Sequence, residues 1–220
     1  MTTAEMRHVP TAGTVPYPQT AAVVLAGGLS SRLGQDKARL RLPAQDGHSL
    51  LERTRQLALH FVPHCWTSCR SARQRDCEAD VLVDFMPGCG PAGGIYTALT
   101  RAAGQGFRDI LVLPCDLPFL DEITLQRLFL THATAPPQTL LTAYAAAESG
   151  RMEALVGIYD VTALPFFAKA LQEGQRAVRD IIPARHQNLI FYTSADSRPF
   201  LNLNTPEDLH TVKSLLASCR

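Results

Sequence analysis

Short apolar runs recur along this chain, and most of them are followed by a stretch with helix-like spacing. The first, Ala21–Ala26, is halted at once by Gly27 and Gly28. A continuous run of this length suits a strand buried on both faces, which is the strand type of a parallel sheet covered by helices. Ser49 then reads as an N-cap for a helix carrying Leu50, Leu57 and Phe61, with Pro63 as its stop. Strands follow at Cys65–Ser68 and Asp80–Val83, a helix at Pro91–Ala103 and a strand at Ile110–Leu113. The second half continues with a helix over Leu120–His132, strands at Leu140–Ala143 and Ala154–Tyr159, and a helix near Pro165–Leu171. It closes with a short helix near Ala177–Ile182, a strand near Leu189–Tyr192 and a last helix opened by Thr205-Pro206. Strands alternating with helices predict an α/β fold with a mostly parallel sheet flanked by helices.

At 220 residues the chain suits one domain, here residues 21–220, preceded by a tail over residues 1–20 that is expected to be mobile and outside the chemistry. Lys and Arg number 21 against 20 Asp and Glu, so no global charge recruits nucleic acid or an anionic membrane, and any anion site must be built locally. No run reaches the ~18 apolar residues of a membrane span, and the first twenty residues hold no hydrophobic block of signal-peptide type. The expected setting is therefore the cytoplasm, with the six cysteines reduced.

In such a sheet, ligands bind beyond the carboxyl ends of the strands. The loop after the first strand runs Leu25-Ala26-Gly27-Gly28, then Arg32, Gly34, Asp36 and Lys37. Glycines let backbone amides approach phosphate oxygens, and Arg32 and Lys37 supply two cations. It is not a Walker loop, because Gln35-Asp36 separates Gly34 from Lys37 and Ala38 offers magnesium no hydroxyl. Gly88-Cys89-Gly90-Pro91-Ala92-Gly93 formally matches a dinucleotide fingerprint, but Asp84–Pro87 intervenes after the strand, so it reads as a second substrate-facing loop feeding a helix N-terminus. Asp116, between Pro114 and Pro118 where a strand ends, is either a magnesium ligand or a cap for the following helix. Asp84 carries the same two readings.

Together the residues Leu25-Ala26-Gly27-Gly28, Arg32, Gly34 and Lys37 resemble the signature loop of nucleotidyltransferases with a Rossmann-like fold. Gly90–Ile95, Pro114–Leu120, Glu153-Ala154-Leu155 and Asn202–Leu209, in that order, narrow the resemblance to the molybdenum cofactor guanylyltransferase family of MobA type. The resemblance implies transfer of GMP from GTP to Mo-molybdopterin, which another cofactor-synthesis protein would deliver, with release of pyrophosphate. It implies nucleotide contacts from Leu25, Ala26, Gly27 and Gly28, phosphate contacts from Lys37 with Arg32 assisting, a further GTP contact at Asp84 and Mg²⁺ on Asp116. It also implies a guanine contact at Thr67, where the family often has asparagine and this chain has a hydroxyl that lacks an amide's paired donor and acceptor. Asn202 and Asn204 match a motif tied to the pterin-side substrate, and Arg176 is expected to assist an anion. The rival readings are a molybdopterin cytidylyltransferase, a sugar-phosphate nucleotidyltransferase and a noncatalytic GTP sensor.

Overall fold

The structure, a computed structural model, describes residues 15–27, 36–42, 47–69, 80–86 and 88–218. Its elements run β1 (Thr20–Leu25), α1 (Leu50–Leu59), β2 (Cys65–Cys69), β3 (Val81–Val83), α2 (Gly90–Gly104), β4 (Asp109–Pro114) and α3 (Glu122–Ala133). They continue with β5 (Leu141–Ala146), β6 (Met152–Asp160), α4 (Leu164–Gln172), β7 (Gln187–Tyr192) and α5 (Pro206–Ala217). The strands form one sheet in the order β3-β2-β1-β4-β6-β5-β7. All neighbours are parallel except β6, which runs against both β4 and β5. Residues 147–151 alone join β5 to β6, too few for the crossover a parallel pair needs. Of the sequence-predicted short helix near Ala177–Ile182, only a 3₁₀ turn at Val178–Asp180 forms.

The chain winds outward from β1 to β2 and β3, then returns across the sheet to place β4 on the other side of β1. This reversal opens a crevice between the carboxyl ends of β1 and β4, where Leu25 and Pro114 stand in register. The two sheet faces alternate along β1. Ala22 and Val24 pack with Leu57, Leu128 and Phe129 toward α1 and α3, while Ala21 and Val23 pack with Ile95, Leu99 and Phe167 toward α2 and α4.

Contacts with the domain begin before β1, at Tyr17. The Tyr17 ring stacks on Phe129 at 3.9 Å, its N–H donates to Phe61 O, and its carbonyl accepts from Thr20 N, so packing of this half-buried ring and its two hydrogen bonds engage the chain before β1 begins. Residues 1–14 lie outside the described segments.

Ser49 caps α1 as its sequence position suggests, with Glu52 N–H donating to Ser49 Oγ and Ser49 N–H to Glu52 Oε2. Ser49→Ala should lower stability by about 1 kcal/mol, read as a shifted denaturant midpoint at constant slope. The Ser49 N–H and then its hydroxyl hold the Glu52 carboxyl below the usual carboxylate range. That contribution is therefore complete above the range and disappears as pH falls through the lowered value.

Candidate active site

The crevice is a cavity of about 530 Å³ crossing the ends of five strands. Ser68 of β2, Asp84 just after β3, and Gly90, Pro91 and Gly94 of α2 form one end. Leu25, Ala26, Gly27, Lys37 and Asp116 form the middle. Because β6 is antiparallel, its first residues, Met152–Val156, reach the same edge and build the far wall with Arg176–Arg179 and Asn202.

Lys37 and Asp116 face each other in the middle region. Asp36 accepts from Ala38 N–H at 3.0 Å and caps a 3₁₀ turn at Lys37–Arg39, which sets where the Lys37 side chain leaves the backbone. Its Nζ stands 3.8 Å from Asp116 Oδ2, with the two side chains only 15% and 24% exposed. Burial raises the Asp116 carboxyl above the usual range, and Lys37 opposes that shift. At this depth the pair is less screened than a surface ion pair. The cap reading of Asp116 is excluded, since Asp121 caps α3 by accepting from Thr124 N–H at 2.8 Å and its hydroxyl at 2.7 Å. Asp84 is likewise no cap: α2 starts at Cys89 without a side-chain cap, and Asp84 Oδ1 accepts from Ser68 Oγ at 2.8 Å.

Thr67 corrects the sequence expectation. Its side chain is buried on the α1 face, where Thr67 Oγ1 accepts from Arg55 at 2.9 Å, and it does not line the crevice. The pleat sends the adjacent side chain the other way, so Ser68 and not Thr67 lines the crevice. Every residue of β2 is buried, so the strand offers no polar–apolar alternation from which its facing could be read. Arg179 is a second lining residue that sequence reasoning missed.

Arg176 reaches from the far wall to donate to Gly88 O, bridging that wall to the loop before α2. Asn202 lines the crevice and donates to Phe200 O, whereas Asn204 accepts from Lys37 and is not part of the lining. Gly28 and Arg32 lie outside the described residues.

Gly94 is required by close approach. A Cβ there would meet Ser68 Oγ at 2.6 Å and Leu25 Cδ2 at 3.0 Å. Gly94→Ala should displace Ser68 Oγ and break its bond to Asp84, lowering stability by about 1 kcal/mol with the fold retained by circular dichroism. A shifted denaturant midpoint checks this.

Comparison with known proteins places this arrangement. A family model described as the MobA-like NTP transferase domain matches residues 22–189. A protein of Rhodopirellula baltica named probable molybdenum cofactor guanylyltransferase is 32% identical over 198 residues, covering 87% of this chain and 90% of the relative. One of Rhizobium leguminosarum bv. trifolii named molybdenum cofactor guanylyltransferase is 31% identical over 211 residues, covering 92% and 95%. Among solved structures, molybdopterin-guanine dinucleotide biosynthesis protein A from Archaeoglobus fulgidus aligns with a TM-score of 0.71 at 23% identity, over 90% of this chain and 99% of that one. That likeness shows the shared fold, while the family model and the two relatives extend the match to sequence over most of the chain. On those grounds the chain belongs to the MobA-like NTP transferase family.

Proposed function

We propose that this protein is a nucleotidyltransferase that moves GMP from GTP to the terminal phosphate of Mo-molybdopterin, forming the guanine dinucleotide cofactor and pyrophosphate. The observation that carries this reading is the meeting of Lys37 and Asp116 in one crevice at the point where the strand order reverses. The names of the relatives supply the acceptor and the nucleotide.

In this reading the work divides along the length of the crevice. Ser68 and Asp84 present a hydroxyl and a carboxylate at the α2 end, suited to the donors and acceptors of a base. The backbone of Leu25, Ala26 and Gly27 lies along the middle, where Lys37 neutralises phosphate oxygens, with Gly28 and Arg32 assigned to the same loop. Arg176 and Arg179 face the acceptor phosphate from the far wall.

The Asp116 carboxylate is a hard oxygen donor held at the crevice floor, which fits a hard divalent cation such as Mg²⁺ that takes one carboxylate and completes its shell with phosphate oxygens. Such an ion supplies charge neutralisation for the transferring and leaving phosphates. The protein itself holds the α-phosphorus in line with the attacking oxygen and needs no nucleophile of its own. An acceptor phosphate with a second pKa of about 6 is already largely ionised near neutral pH, so no strong general base is required.

We place the reaction in the cytoplasm, with Mo-molybdopterin handed over by another protein of cofactor synthesis. The four cysteines that the described residues include are all buried, which accords with a reducing setting. Among those residues no helix is long and apolar enough to cross a membrane.

The test is to incubate the purified protein with Mg²⁺, Mo-molybdopterin and each nucleoside triphosphate in turn while following pyrophosphate. Release with GTP supports the reading. Release with CTP only, or with sugar phosphates only, replaces it, and binding of GTP without release for any acceptor makes the protein a sensor.

A further inference from the structure

The motif Asn202-Leu203-Asn204-Thr205-Pro206-Glu207-Asp208 has an internal logic of its own in the fold. Thr205 caps α5, Pro206 opens it, and Asp208 N–H donates to Thr205 Oγ1 at 3.2 Å. Asp208 Oδ2 in turn accepts from both Asn204 N–H and Thr205 N–H, each at 2.8 Å. Those backbone donors, that of Asn204 first, hold the Asp208 carboxyl below the usual range. One residue earlier, Leu203 is fully buried with Leu42, Leu50 and Val212, and its N–H donates to Asp116 O at 2.9 Å. The backbone of Asn204 is thereby clamped from both sides, and one clamp is the backbone of Asp116 itself.

What the clamp holds out is an amide oxygen. Asn204 Oδ1 accepts from Lys37 Nζ at 2.5 Å, while Asp116 Oδ2 lies 3.8 Å from the same ammonium. We propose that Asn204 is a positioning residue that aims Lys37 at the nucleotide phosphates, and that it is not a contact to the acceptor's ring system. The inference rests on the guanylyl-transfer reading for its substrates.

The chemistry explains why the partner is neutral. An ammonium has three donors on a stem of several rotatable bonds, so without a partner it loses its aim. A second carboxylate could hold it, but would add negative charge beside a triphosphate and cancel the charge Lys37 brings. An amide oxygen orients the ammonium and leaves its full charge facing the substrate. It also keeps Lys37 in place when Asp116 turns its carboxylate to a metal.

The deciding measurement is GTP affinity by calorimetry without any acceptor, once with Mg²⁺ and once in EDTA, for the wild type, Asn204→Ala, Lys37→Ala and the double variant. A lost hydrogen bond to a charged group predicts about tenfold weaker GTP binding for Asn204→Ala in both media. In the Lys37→Ala background the same substitution should change affinity less than about twofold, because the two residues act as a unit. In turnover, kcat should fall about tenfold or more while KM for Mo-molybdopterin stays within about twofold. Unchanged GTP affinity with a raised acceptor KM overturns the proposal, as does an effect that persists at full size without Lys37. Should Asn204→Ala not fold, Asn204→Ser carries the same comparison. A wild type that binds GTP yet releases no pyrophosphate defeats the transfer reading and leaves the affinity comparison decisive for Asn204, whereas one that does not bind GTP defeats both.

Discussion

Lys37→Ala and Asp116→Asn should each slow pyrophosphate release by about 10²–10³-fold, the usual consequence of removing one preorganised electrostatic contact from a site of charge transfer. The two side chains meet across 3.8 Å in a partly buried crevice where water screens them weakly. Their effects on turnover should combine less than additively, since both act on one triphosphate. Their effects on the resting protein should differ. Burial already raises the Asp116 carboxyl, and Lys37 opposes it, so Lys37→Ala leaves a desolvated carboxylate without its cation. Asp116→Asn removes that carboxylate. Thermal melts without nucleotide should therefore show Lys37→Ala as the less stable variant, and near-normal turnover by either folded variant would remove it from the proposed machinery.

The largest effect on stability is expected at Phe129. Its ring is 1% exposed and stacks on Tyr17 at 3.9 Å and on Phe61 at 5.4 Å, joining α3, the turn after α1 and the segment before β1. Phe129→Ala should cost about 3–5 kcal/mol, a large share of the 5–15 kcal/mol typical of a whole domain. Chemical denaturation checks this. Removing residues 2–18 should destabilise the same cluster because Tyr17 goes with them, whereas removal of residues 2–14 leaves Tyr17 in place. A truncation to residue 18 that melts like the full chain would show that the Tyr17 stack contributes nothing.

What could be read in advance follows from how local each signal is. The run Ala21–Ala26 and the caps Ser49 and Thr205 depend on neighbouring residues only, and each appears within a residue or two of its expected place. Asp116 could be placed at a strand end by the same reasoning, though its pairing with Lys37 needed the sheet order. Where partners are distant in sequence, reading fails for a physical reason. Thr67 and Ser68 are both small and polar, and only pairing of β2 with β1 decides which one faces the crevice. Tyr17 looks like part of a proline-containing tail because its partner Phe129 lies more than a hundred residues away. Asn204 meets Lys37 across a separation of 167 residues, so nothing beside either one announces the contact.

The antiparallel placement of β6 has a last consequence. The residues proposed to hold the nucleotide come from the first half of the chain and the end of β4, whereas the opposite wall is assembled from residues 152–156 and 176–179 with Asn202. Division of labour between two tracts lets one diverge while the other is held constant. Under the proposed transfer, changes at residues 152–156 and Arg179 would retune which molecule receives the group, whereas Arg176, which holds Gly88 O, stays tied to the donor end.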